Sequence, residues 1–215
     1  MGLKTFLGLK KAPPPNQNSI LPPECASWFE GKDFTSDWLS KKLPFWFAPL
    51  RHMRSEKVAV LELGSYEGRS AVALLEMFPL GHVTCVDIFA APEVERRFDL
   101  NTSSYLDRCR KIKGSALAVM ETLATEAARF DVIYLDAGKR RDDVFPQTAL
   151  AWSLLKIGGT MIWDDLRWGI TKKVADQARP GPAIELFARV FKGCMTEQHR
   201  GNQLIVRKTA HWPER

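Results

Sequence analysis

Between Val58 and Ser70 the chain reads VAVLELGSYEGRS. An apolar run reaches Glu62, turns through Gly64-Ser65-Tyr66-Glu67-Gly68, and enters an apolar-periodic segment. A strand that passes through glycines directly into a helix is the unit that opens a parallel α/β sheet and presents a helix N-terminus to a nucleotide-like ligand. No other stretch restricts the fold as much. The spacing is G-x-x-x-G, not the G-x-G-x-x-G of a pyrophosphate-binding turn. With Glu62 just ahead of the first glycine, the turn suits a cofactor that has a positive group and no pyrophosphate, a description that S-adenosylmethionine meets.

From Lys57 onward, apolar strands alternate with helical spacing, which predicts a mostly parallel sheet with crossover helices on both faces. The expected strands are 58–63, 82–87, 130–136, 160–164 and 203–208, with a weaker one around Ile112. Helical spacing covers 70–78, 116–128, 142–155 and 183–191. Gly158-Gly159 is read as the end of the third of these helices. Arg200-Gly201-Asn202 suits an antiparallel hairpin turn between 194–198 and the last strand. Ahead of this domain (57–215), residues 1–26 carry Pro13-Pro14-Pro15 and Pro22-Pro23 and read as a flexible arm. Residues 27–56 are aromatic-rich and read as a helical cap, with Trp38, Trp46 and Phe47 packing it onto the domain.

With 215 residues, the chain has room for one substantial α/β domain plus an extension. Its four cysteines are scattered without metal-like spacing, no apolar run approaches the roughly 20 residues of a membrane span, and the N-terminus lacks a secretory cleavage site. A cytoplasmic protein is the default expectation. The net charge of +6 comes without a recognised nucleic-acid motif, so nucleic acid is not an expected partner. A homodimer is left open.

Four strands end in acids: Glu62, Asp87, Asp136 and the pair Asp164-Asp165. In an open parallel sheet, ligands bind beyond these ends, and four acids on one edge repel unless a ligand or cation gathers them. Asp87 lies about 20 residues past the glycine turn, where a carboxylate accepts ribose hydroxyls. Lys113-Gly114-Ser115-Ala116 offers a glycine turn with small side chains, suited to an adenine edge or simply to a helix cap.

LELGSYEGRSAVAL resembles the first motif of class I S-adenosylmethionine-dependent methyltransferases, in particular the catechol and caffeoyl-CoA O-methyltransferase branch. VTCVDIF is similar to the ribose motif of that branch and KGSA to its adenine segment. FDVIYLDAGK and LLKIGGTMIWDDLRW are similar to its last two motifs. A broader group of bacterial class I methyltransferases shares the pattern. The resemblance implies a Rossmann-like methyltransferase fold, with a mostly parallel seven-stranded sheet, one antiparallel strand and helices on both faces. It also implies S-adenosylmethionine as cofactor and a small hydroxylated or sugar-like acceptor.

By position, Glu62, Gly64, Ser65, Tyr66, Gly68 and Ser70 would line the methionine end of the cofactor. Asp87 would hold the ribose, Ile88 and Phe89 would lie beside the adenine, Gly114, Ser115 and Ala116 would border it, and Asp136 would close the cofactor site. Asp136, Asp164 and Asp165 occupy the positions of the branch's divalent-metal ligands, which makes Mg²⁺ or another divalent cation the second expected cofactor. Asp165 stands where the branch has Asn. The carboxylates could instead be neutralised by Arg or Lys, and Arg167 is adjacent. Lys139, with Asp136, occupies the catalytic position. A lysine there either accepts the acceptor's proton, if its pKa is depressed, or forms a salt bridge to Asp136 or Asp142. Two rival readings are a non-catalytic cofactor-binding protein and an NAD-dependent oxidoreductase, the latter disfavoured by the Gly64–Gly68 spacing.

Overall fold

The computed structural model describes Cys25 and residues 27–212. Apart from Cys25, the expected arm over 1–26 lies outside the described residues. In chain order the strands are β1 (Ala59–Leu63), β2 (His82–Asp87), β3 (Cys109–Lys113), β4 (Phe130–Leu135), β5 (Leu155–Trp163), β6 (Met195–Arg200) and β7 (Leu204–Lys208). The helices are α1 (Pro44–Leu50), α2 (Arg69–Met77), α3 (Pro92–Thr102), α4 (Ala116–Thr125), α5 (Arg141–Leu154) and α6 (Gly181–Val190).

The strands form one sheet in the order β3-β2-β1-β4-β5-β7-β6. The first five pair in parallel, while β7 runs antiparallel to both β5 and β6. This is the expected Rossmann-like sheet with one antiparallel strand. The chain winds outward from β1 to β3 and then returns to β4. The β1/β4 boundary is therefore the switch point, where such a sheet opens a crevice beyond its strand ends.

Alternation along the strands builds two cores. Leu61, Leu63, Ile133 and Leu135 face one side, in a buried cluster with Met120 of α4, Trp152 of α5 and Phe187 of α6. Val60, Val132 and Tyr134 face the other, with Leu74 of α2, Phe98 of α3, and Trp28, Leu43, Trp46 and Leu50 from the N-terminal segment. Trp46 and Leu43 are wholly buried. Complete burial of a tryptophan removes roughly 150–250 Å² from water, up to about 4–6 kcal/mol. Residues 27–56 are thus held by the same core as the sheet.

The structure departs from the sequence expectations in two places. Gly158-Gly159 does not end a helix: α5 stops at Leu154, β5 starts at Leu155 without a loop, and both glycines lie inside the strand. Six residues of β5 (Leu155 to Thr160) span three of β4 (Phe130 to Val132), a bulge in the pairing. Gly158 has φ +85°, and a Cβ on Gly159 would lie 2.8 Å from the Asp131 carbonyl. The second departure is α3, which was not expected. It opens with Pro92 in its first turn and carries Glu93 and Glu95 there, a favourable start, but buries only Phe98, Asn101 and Thr102. So thin an apolar stripe leaves little periodicity to read.

Candidate active site

Backbone hydrogen bonds that run one residue past each strand end fix the acids on a single edge. The Gly64 amide donates to Val86 O (2.8 Å), Gly114 to Asp87 O (2.9 Å), Asp136 to Leu63 O (2.8 Å) and Asp164 to Leu135 O (3.0 Å). Strand register therefore delivers Asp87, Asp136 and Asp164 to one edge, with the end of β1 between the first two. Glu62 differs, because it lies one residue inside β1 and is fully buried.

The glycine turn needs its glycines. Gly64 has φ +91°, and a Cβ there would lie 2.5 Å from the Asp136 carbonyl oxygen, so the loops after β1 and β4 can touch only at a residue without a side chain. Tyr66 also adopts a left-handed φ of 48°, uncommon for a bulky residue and characteristic of ligand-holding loops. Its amide donates to Asp87 Oδ2 (2.9 Å) while the Phe89 amide donates to Oδ1 (2.7 Å). Each Asp87 oxygen keeps further acceptor capacity. Below the turn, both Glu62 oxygens and Ser65 Oγ are buried without a hydrogen-bond partner. Burial pushes the Glu62 carboxyl up to about 7, tempered by the nearby Ser65, Ser70 and Cys85 and reinforced by the Asp87 charge.

Three clefts meet at Asp136. One, of about 710 Å³, runs along Asp87, Ile88, Gly114, Ser115 and Ala116. The second lies over Gly64, Ser65, Tyr66 and Ser70, and Asp87 also reaches it. The third, of about 680 Å³, is walled by Trp38, Phe45, Lys139, Asp165, Trp168 and His199. Asp136 lines all three. Of the predicted cofactor residues, Glu62, Gly68 and Phe89 do not line these clefts. Gly68 caps α2 with φ +86°, and Phe89 turns inward onto Phe98, with ring centroids 5.1 Å apart.

On the third cleft the charges are paired through lysines. Lys139 Nζ bridges Asp136 Oδ1 (2.7 Å) and Asp165 Oδ2. Asp142 pairs instead with Arg141. Partial burial lowers the Lys139 pKa, but the two carboxylates outweigh it and hold the ammonium well above its ordinary value. A depressed lysine, as a proton acceptor there would need to be, is not what the geometry provides. Asp136 is pushed up to about 6 by burial and by the Asp164 charge, against the pull of Lys139.

The expected three-carboxylate metal site does not assemble. Asp164 receives Lys42 Nζ on both oxygens (2.7 and 2.5 Å), the Asp165 amide on Oδ1 (2.6 Å), and Tyr134 Oη (2.5 Å) and Gln203 Nε2 (3.2 Å) on Oδ2. A carboxylate offers about four lone-pair sites, and these donors occupy them. Among the described residues no group of three or more His, Cys, Asp or Glu side chains is arranged to hold a metal ion. The donor set does not fit a divalent cation.

The N-terminal segment is latched to this edge at several points. The Thr35 amide and hydroxyl donate to buried Glu67 (2.6 and 2.7 Å), Arg69 donates to Asp37 (2.9 Å), and Trp46 Nε1 donates to Gln203 Oε1 (2.8 Å). Trp38 lies against Tyr66, with centroids 5.3 Å apart, so the segment walls the clefts as well as packing. Lys42, Tyr134 and Gln203 were not among the predicted site residues. Their hydrogen bonds to Asp164 span 122, 30 and 39 residues, so no local pattern in the sequence points to them.

An open α/β sheet binds its ligand in the crevice beyond such a strand edge. Residues 61–166 match the family model described as "Methyltransferase domain". A curated relative, O-methyltransferase hkm8 of Aspergillus hancockii, is 28% identical over 117 residues, 51% of this chain and 44% of that protein. The chain thus spans less than half of that relative. Among solved structures, the O-methyltransferase from Bacillus cereus in complex with S-adenosylhomocysteine superposes with a TM-score of 0.62 at 18% identity, over 86% of this chain and 87% of that one. The MycE methyltransferase of the mycinamycin biosynthetic pathway, in complex with Mg and S-adenosylhomocysteine, superposes with 0.65 at 18% identity, over 90% of this chain and 56% of that one. No helix among the described residues is long and apolar enough to cross a membrane.

Proposed function

We propose that this chain transfers a methyl group from S-adenosylmethionine to a hydroxyl oxygen of a small, sugar-like acceptor. The observation that carries the reading is the position of Asp136, a wall common to the clefts on the cofactor side and the cleft beyond them. The named relative and structures support the class of reaction. The residues fit the cofactor: the buried Ser65 hydroxyl on the second cleft has no hydrogen-bond partner of its own, and both Asp87 oxygens keep acceptor capacity on the first.

Asp87, already oriented by two amides, would accept the ribose hydroxyls. Ile88 would flank the adenine, with Gly114, Ser115 and Ala116 along its edge, and Gly64, Ser65, Tyr66 and Ser70 would wall the methionine end. The bound cofactor supplies an electrophilic methyl on a sulfonium. Asp136, with a pKa of about 6, is ionised at neutral pH and takes the acceptor hydroxyl's proton. Lys139, kept protonated by its two carboxylates, steadies the developing oxyanion. Trp38 and Trp168 supply aromatic walls for the acceptor.

The test is Asp136→Asn. Loss of a general base costs roughly 10²–10⁴-fold in turnover, and S-adenosylhomocysteine affinity should persist. Undiminished turnover in this variant would remove Asp136 from the chemistry.

A further inference from the structure

Asp164 accepts more hydrogen bonds than any other acid among the described residues, and its partners come from three distant parts of the chain. Its side chain has no solvent exposure, and that of Lys42 has 17%. The Lys42 ammonium lies 2.7 Å from one Asp164 oxygen and 2.5 Å from the other, an approach in which one cation serves the whole carboxylate. Gln203 cannot turn its amide away, because Trp46 Nε1 donates to its Oε1 at 2.8 Å, so Nε2 faces Asp164. Lys42 and Trp46 stand four residues apart on the same segment. One segment therefore supplies both the cation and the group that orients the carboxylate's neighbour.

We infer that Lys42 is the resident cation of this strand edge and takes the place that a divalent metal ion would need, so that the acceptor side works with two lysine ammonium groups. The inference rests on reading this edge as the acceptor side of a methyl-transfer site. Charge supports it. Asp136, Asp164 and Asp165 face Lys42 and Lys139, leaving one surplus negative charge beside a cleft that also holds Lys41. Geometry supports it independently. A metal on Asp164 would have to displace the ammonium from both oxygens, and a partly buried lysine displaced from its carboxylate loses the partner that offsets its desolvation. Lys42 is thus a positioning residue, holding Asp164 and, through the Asp165 amide, the loop that carries Asp165 to Lys139.

The experiment is a Mn²⁺ titration, read by electron paramagnetic resonance and calorimetry, on the full chain and on Asp164→Asn, Lys42→Ala, Lys42→Met and Lys42→Ala/Asp164→Asn. S-Adenosylhomocysteine binding is measured alongside. The wild type should show no site-specific Mn²⁺ binding and equal turnover in EDTA and in Mg²⁺. Lys42→Ala should gain Mn²⁺ affinity by about tenfold or more, and the double variant should lose that gain. Lys42→Met, which keeps the packing of the aliphatic stem, guards against simple unfolding. Tight Mn²⁺ binding to the wild type that Asp164→Asn abolishes would overturn the inference, as would folded Lys42 variants that gain no Mn²⁺ affinity. Failure of the wild type to bind S-adenosylhomocysteine would instead strike the methyl-transfer reading and leave the metal result standing.

Discussion

Asp87 and Asp164 both sit at the edge of the same sheet, yet they are held by different means. Asp87 takes its hydrogen bonds from the backbone amides of Tyr66 and Phe89, 21 and 2 residues away. Asp164 takes side chains from Lys42, Gln203 and Tyr134, 122, 39 and 30 residues away. The cofactor half of the edge is made of backbone and turn geometry that one stretch of chain can specify. The acceptor half is made of long side chains that the fold must bring together. A site built in the first way is specified by neighbouring chain, whereas one built in the second depends on contacts that only the folded chain brings together.

The contrast can be broken most severely at the turn itself. Gly64→Ala places a Cβ against the Asp136 carbonyl in a left-handed conformation, and should destabilise the protein by about 3 kcal/mol or more. The measurement is the urea midpoint, and a shift near zero would mean that the two loops are not in contact. Next comes Glu62. Burial holds its folded pKa at about 7, above the ordinary 4.5, so the folded state binds this proton more tightly than the unfolded state. The stability it contributes is complete below about 4.5 and is lost as the pH rises through about 7, a loss of roughly 3 kcal/mol. Glu62→Gln should flatten that decline in the ligand-free protein, as followed by denaturation at pH 5 and pH 8. A smaller effect is expected on the acceptor half. Trp46→Phe removes the hydrogen bond to Gln203 and part of the ring's volume, and should cost about 1–2 kcal/mol. If the two halves are distinct, it should leave S-adenosylhomocysteine affinity intact.

The same contrast explains what the sequence revealed. The strand–turn–helix at Val58–Ser70, the acid at Asp87 and the alternation of elements are local patterns, and the sheet follows from them with its single antiparallel strand. Helix α3 escaped notice because it buries so little, and Gly158-Gly159 misled because glycines that end helices also make bulges. Phe89 stood in the ribose motif, but its left-handed backbone (φ 45°) turns it to Phe98 and leaves Ile88 on the cleft. Lys42 could not be assigned, since nothing between residues 42 and 164 signals that a lysine from the N-terminal segment meets the end of β5. Neutralisation of the acids by a basic side chain was open in the sequence, with Arg167 as the nearest candidate. The structure uses Lys42 and Lys139.

The central claim is that this edge holds a nucleoside cofactor through Asp87. Calorimetric titration with S-adenosylhomocysteine tests it most directly, on the wild type and on Asp87→Asn, which keeps the side chain's shape while removing its charge. The account predicts saturable binding to the wild type and a loss of about tenfold or more in the variant, with its thermal unfolding still cooperative. Equal affinity in the two proteins would contradict it.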